Sequence, residues 1–290
     1  MAPQDLELTG RLSLDEGAVA PAILQAFSRV VAYARSRASA PNVAPPVLAH
    51  EYRKSFRRAR SLLRMLEPSI PRKAYRSISL ALREAHRHYA GRRDGDAARE
   101  AWRVFSASYH FRIPEADAFF SRTVEVGGRE APSRREVDEA LELLAAKLPG
   151  EINSDDLRRG LEKTYRSARD ALRKTRHVAD PAHVHRLRRR CKDLHNQLEL
   201  LESIGGAPAR KWRKRFSRIA KQLGEITDLY LVRDGLDALW LETPGLDPVL
   251  KRNLDRALDS EIAGRVAAAC KRADKSLGQK AKKFSARFDL

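Results

Sequence analysis

Apolar residues recur along this chain at spacings of three and four, the signature of helices with one buried face; sustained alternation, the signature of strands, is almost absent. The periodicity predicts helices over 17–38, 47–67, 71–89, 95–110, 133–147, 154–178, 182–204, 208–226, 228–242 and 246–285. Breakers stand between them. Pro45 and Pro46 precede the second helix, Pro68 and Pro71 separate it from the third, Pro181 opens another at a first-turn position, and Gly205 and Gly206 close that one. The stretch GGREAPS at 127–133 reads as a linker dividing the chain into segments 15–126 and 133–288.

The segments resemble each other. HEYRKSFRRARSLLRML begins at His50 and HRLRRRCKDLHNQLELL at His185. Aligned, His50 meets His185, Arg53 meets Arg188, Arg57 meets Lys192, Arg60 meets His195 and Leu63 meets Leu198. The register holds, within one residue, to Arg93-Asp94 and Thr227-Asp228. A repeat this long is not a solenoid period. The expected fold is all-α: two four-helix-bundle-like halves, an internal duplication related by a pseudo-two-fold.

Charge sharpens this picture. Lys and Arg number 57 against 38 Asp and Glu, a formal net charge of +19 in 290 residues. Such a surplus repels itself and gathers anions. Its placement is ordered. His50, Arg53, Arg57, Arg60 and Arg64 follow a 3-4-3-4 spacing on one helix face, with Tyr52, Phe56, Ala59, Leu63 and Leu66 roughly opposite. His185, Arg188, Lys192 and His195 repeat the basic stripe against Leu187, Cys191, Leu194, Leu198 and Leu201; Glu199 interrupts it where Arg64 stands in the first half. Further stripes are Arg72, Arg76, Arg83 and Arg87; Arg159, Lys163, Arg166 and Arg173; and Lys211, Lys214, Arg218 and Lys221. Like charges at i and i+4 destabilise a helix by a few tenths of a kcal/mol per pair, and a bridging anion would offset that. Arginine forks suit phosphate oxygens bidentately, and histidine donates from either ring nitrogen.

Other chemistry finds little support. No P-loop or HExxH pattern occurs, and no acidic pair stands in a metal-binding context. His183/His185 and His86/His88 are i,i+2 pairs that point to different sides of a helix. Asp94 and Asp228 follow turn-like segments and read as N-caps. Cys191 and Cys270, far apart in helical contexts, read as buried thiols in a reducing compartment. No apolar run reaches the ~20 residues that span a bilayer, and MAPQDLELTG carries acids where a secretory signal needs positive charge. The expectation is a cytoplasmic binding protein, not an enzyme, with no cofactor and no metal.

The duplicated H-x-x-R-x-x-x-[RK]-x-x-[RH] motif, followed by a second basic helix and a turn ending in Asp, resembles the CHAD family of histidine-containing α-helical domains, over about residues 15–285. The string YRSARDALRK from Tyr165, together with HRLRRRCKDLHNQLELL, is the more family-like half; in the first, Lys54 stands where an aliphatic residue is more usual. The resemblance implies two bundles whose basic faces converge on a central groove or pore, inorganic polyphosphate as ligand, and association with polyphosphate granules. Carried over by position, the binding residues are His50, Arg53, Arg57, Arg60, His185, Arg188, Lys192 and His195, with Arg87 and Lys221 as companions. Arg64, Arg76, Arg83, Arg166, Arg173, Lys214 and Arg218 are candidates from their stripes. DLELTGR lacks the ExExK signature of the triphosphate-tunnel enzyme domain that accompanies some relatives. A nucleic-acid-binding protein is the alternative that charge alone allows, though no helix-turn-helix or RNA-stacking motif is visible. A phosphohydrolase or a scaffold stands behind it.

Overall fold

A computed structural model describes residues 54, 57–87, 92–122, 146 and 152–288, with side chains apart from those of 84–87, 92–94 and 203–205. The predicted helices at 17–38 and 133–147, the linker, and His50, Arg53, Tyr52 and Phe56 lie outside the described residues, Ala146 excepted. Every described element is helical and no strand occurs among them. In chain order they are α1 (described over 57–65), a 3-10 turn (Glu67–Ser69), α2 (Arg72–Arg87), α3 (Arg92–Ser108), α4 (Pro114–Ser121), α5 (Ser154–His177), α6 (Pro181–Leu200), α7 (Glu202–Glu242), α8 (Pro248–Leu277) and α9 (Ala281–Ser285).

Local sequence sets the helix starts. Asn153 and Asp156 form a reciprocal capping box at α5, and acids in its first turn and Lys174, Arg176 and His177 in its last complement the helix dipole. The Asp180 carboxylate accepts the His183 backbone N–H (2.6 Å) with Pro181 in the first turn of α6, and Asp247 with Pro248 does the same for α8 through the Val249 N–H (2.7 Å).

α7 is the spine: α3, α4, α6 and α8 all pack on it. It can serve them all because apolar residues surround it; Ile219, Leu223, Ile226, Val232, Leu236 and Leu239 are all buried. The predicted inner stripe of α6, Leu187, Cys191, Leu194 and Leu198, is fully buried, as are Ala59, Leu63 and Leu66 of the first half. α1 crosses α5 so closely that a Cβ on Gly160 would stand 1.7 Å from the Met65 carbonyl oxygen. Only glycine permits that crossing. Beside it, Ser61 receives the Asn196 amide (2.9 Å), its carbonyl accepts from Gln197 (2.8 Å), and its hydroxyl lies 2.9 Å from Asp193 Oδ1. These groups are buried, and their hydrogen bonds fix α1 against α6.

Three predicted boundaries are corrected. The helices predicted at 208–226 and 228–242 are one: Thr227 donates its hydroxyl to the Leu223 carbonyl (2.8 Å), and Asp228 lies in mid-helix, not at an N-cap. Asp94 likewise falls inside the first turn of α3. The predicted 246–285 helix ends at Leu277; α9 then turns back so that Phe284 stacks on Tyr165 (4.2 Å) and meets Trp212 edge-on (5.2 Å). Tyr165 is fully buried with its hydroxyl donated to the Ser276 carbonyl (3.0 Å), and burial raises its pKa to about 12. The Gly205-Gly206 break is a kink, with Gly206 at φ 48° inside α7.

Candidate anion-binding site

α1 and α6 each carry a basic stripe at helical spacing, and α1 lies across α6. Arg57, Arg60 and Arg64 of α1 and His185, Arg188 and Lys192 of α6 therefore line one cleft of about 490 Å³. Arg83 of α2 joins them, and Arg189 adds a cation that the stripe arithmetic missed because it stands one residue off the 3-4 series. α7 contributes Thr227, Asp228 and Leu231. Seven Lys and Arg side chains thus share a wall with two carboxylates, Asp193 and Asp228.

Asp193 is the organising anion. It is nearly buried, bonded to Arg190 (2.8 Å), and 3.1 Å from Arg64 Nε, which is placed for charge attraction without an aligned hydrogen bond. One carboxylate cannot neutralise the cations around it. Burial, then the charges of Arg189 and Arg64, pull the Arg60 pKa below its ordinary value against the opposing pull of Asp193. Burial, Arg64 and Arg189 do the same to Arg190. Both shifts mark a place where added negative charge lowers the energy. Gly224 of α7 admits the Arg188 side chain: a Cβ there would stand 3.1 Å from its Nη2. Past His185 and Arg189, which line both, the cleft adjoins a groove of about 550 Å³ walled by Lys174, Arg186 and Arg190, with Asp170 at its edge.

Other predicted residues do not line the cleft. His195 turns inward, with Nδ1 3.3 Å from the Arg213 carbonyl, and burial lowers its pKa, so it stays neutral instead of extending the basic stripe. Glu199 does not interrupt the cleft; it pairs with Arg58 of α1 (2.9 Å) and Arg213 (3.5 Å). The α5 stripe is compensated: Arg159 pairs with Asp156, Lys163 with Glu67 (3.0 Å), Arg166 with Glu162 (3.2 Å) and Arg173 with Asp170 (3.7 Å). Arg76, Lys214, Arg218 and Lys221 are exposed and line no part of it. Lys211 lines a separate depression near the start of α7 with Arg215, Lys275 and Arg287. The Arg87 side chain lies outside those described. Among the described residues no group of three or more His, Cys, Asp or Glu is placed to hold a metal ion, and no helix is long and apolar enough to cross a membrane. Cys191 and Cys270 are buried free thiols whose pKa values burial raises.

The CHAD domain family model matches residues 22–237, which include every residue lining the cleft. The chain belongs to the CHAD family. Comparison with curated proteins and with solved structures returns no match. The CHAD match ends inside α7, so α8 and α9 lie beyond it, including the Phe284 that covers Tyr165.

Proposed function

We propose that this CHAD protein binds inorganic polyphosphate in the cleft between α1 and α6 and does not turn it over. The carrying observation is the gathering of seven Lys and Arg side chains from α1, α2 and α6 against two carboxylates. The adjoining basic groove beyond His185 and Arg189 favours a chain of phosphates over a single compact anion. Arginine forks would grip successive phosphate oxygens, and Asp193 would keep Arg64 and Arg190 in place between binding events. The same reading includes an origin by duplication, with a four-helix bundle in each half about a pseudo-two-fold, and residence in the cytoplasm at polyphosphate granules.

Isothermal titration with long-chain polyphosphate at about 50 and 200 mM salt tests the reading. If about six phosphates are contacted, affinity falls by roughly three orders of magnitude between the two, by analogy with counterion release from duplex DNA. Absence of binding, binding indifferent to salt, or duplex DNA competing on equal terms refutes it. Phosphate release from polyphosphate, ATP or triphosphate with Mg²⁺ or Mn²⁺, above that of a charge-reversed cleft variant, refutes the non-catalytic part.

A further inference from the structure

Near the start of α7 a depression of about 800 Å³ is lined by Lys211 and Arg215 of α7, Lys275 of α8 and Arg287 beyond α9, and by no carboxylate. The acids nearby are engaged elsewhere. Asp274, next to Lys275, pairs with Arg176 (2.8 Å), and Glu202 pairs with Arg210 (2.6 Å) and Arg213 (2.8 Å). Among the described residues none of the four cations takes part in an ion pair. The α5 stripe is the contrast, since each of its cations has an acid.

Two of the four are held by neutral groups. The Arg215 guanidinium lies over the Trp212 ring, 4.7 Å from its centre, and Arg287 donates to the Gln279 side-chain carbonyl (3.0 Å). These contacts fix position and leave the charge unneutralised. Backbone dipoles add little net bias. α7 restarts after the Gly206 kink with a positive end at Ala207, while the last turn of α8, which carries Lys275, presents a negative one at Gly278. The side chains therefore decide the field, and a concave wall of one sign focuses it. A singly charged anion would leave most of these cations unmatched. Trp212 is buried beneath Arg215 and meets Phe284 edge-on (5.2 Å), so it offers no open ring face to a base. The lining suits a compact anion of several charges read through its oxygens alone.

We propose that this depression is a second anion site, weaker than the cleft, which takes an inorganic oligophosphate group through Lys211, Arg215, Lys275 and Arg287. Lys211 stands about 25 Å along α7 from Asp228 of the cleft wall, at the helical rise. Lys275 and Arg287 lie past residue 237, where the CHAD match ends, so the site needs the C-terminal helices that the match does not include. It does not depend on what the cleft holds.

The full chain with its cleft reversed, Arg57→Glu with Lys192→Glu, isolates the depression. Isothermal titration with tripolyphosphate at low salt should show one saturable site with a dissociation constant of about 100 μM. Adding Lys211→Glu with Lys275→Glu, both at exposed positions, should weaken it about tenfold or more. Adding Lys282→Glu with Lys283→Glu instead makes the same change of net charge at exposed positions outside the depression and should alter it by less than about threefold. Circular dichroism should show the same helical content throughout. In the otherwise wild-type chain, Lys211→Glu with Lys275→Glu should remove one of two sites. ATP should bind no more tightly than tripolyphosphate. No saturable heat up to about 10 mM tripolyphosphate overturns the proposal. So does equal affinity in the two added pairs, which would mean that net charge alone is read, or ATP binding about tenfold tighter, which would mean that a base is recognised. If the reading of the cleft fails instead, the wild-type and cleft-reversed chains bind tripolyphosphate alike and the depression remains their site.

Discussion

The basic cleft and an acidic groove between α3 and α8 have equal volumes, lean on the same helix and share Ala97 and Asp228, yet they are built from different parts of the chain. The cleft sets α1 and α2 of the first half against α6; the groove sets α3 against α7 and α8. In the cleft, burial first and then the charges of Arg189 and Arg64 depress the Arg60 pKa, with Asp193 opposing them. In the groove the acids are met by near neighbours: Asp96 lies 3.6 Å from Arg99, Glu100 is bonded to Arg103, and Glu225 and Glu261 share Arg265. Opposite charge patterns thus survive one helix apart. Each side chain's Coulomb energy is set by neighbours within a few ångströms, and solvent screens the rest over about 10 Å.

Reversing charge in the cleft should separate the two regions most strongly. Arg57→Glu with Lys192→Glu removes one cation from each helix stripe; at about 1.5–3 kcal/mol per charged hydrogen bond, polyphosphate affinity should fall on the order of 100-fold or more. Glu225→Gln in the acidic groove should change it far less, and titration of both variants reads the contrast directly. If polyphosphate binds this variant as well as wild type, the polymer sits elsewhere.

Gly160→Ala should come next. With 1.7 Å to the Met65 carbonyl, the added methyl forces α1 away from α5, an overpacking cost of about 1–3 kcal/mol or somewhat more. Thermal unfolding should show the lost stability. Polyphosphate binding should weaken because α1 carries Arg57, Arg60 and Arg64. Unchanged binding in the destabilised protein would place the polymer away from α1.

Asp228→Asn acts on the shared wall. Removing its charge should tighten polyphosphate by about threefold to tenfold at low salt, with the effect shrinking as salt rises. Weaker binding would contradict a polymer seated beside this residue.

The smallest effect concerns His195, which lines neither region. Burial lowers its folded pKa, so the unfolded imidazole takes up a proton first as pH falls. Its contribution to stability is complete above about pH 6.5 and is lost below that, until the folded pKa is passed. Melting temperature should therefore drop less in His195→Asn than in wild type between about pH 7.5 and 5.5, with polyphosphate binding unchanged. An equal drop in both proteins would place the acid sensitivity elsewhere.

Much of this architecture was legible before any coordinates. A 3-4 spacing forces Arg57, Arg60 and Arg64 onto one helix face and buries Ala59, Leu63 and Leu66 on another, because the helix turns about 100° per residue. Pro181 announces a helix start because its fixed φ suits a first turn, and the structure adds the Asp180 carboxylate as its cap. The Thr227-Asp228 pair misled because two polar residues in an apolar helix look like a turn until a polar cleft is seen beside them. α4 escaped notice because its eight residues carry too little periodicity to register.

Local sequence therefore determined the helices, their buried faces and which cations share a stripe, since these depend on contacts within a turn or two. Only the tertiary structure decided which stripes gather at one cleft. The α5 stripe looked equal to the others, but its partners include Glu67 from across the chain, whereas Arg60 and Arg189, distant in sequence, are pressed together. It also decided that Asp96 and Glu100 of α3 meet Glu225 and Glu261 around one groove. Coulomb energy falls with distance in space, and separation along the chain does not enter it.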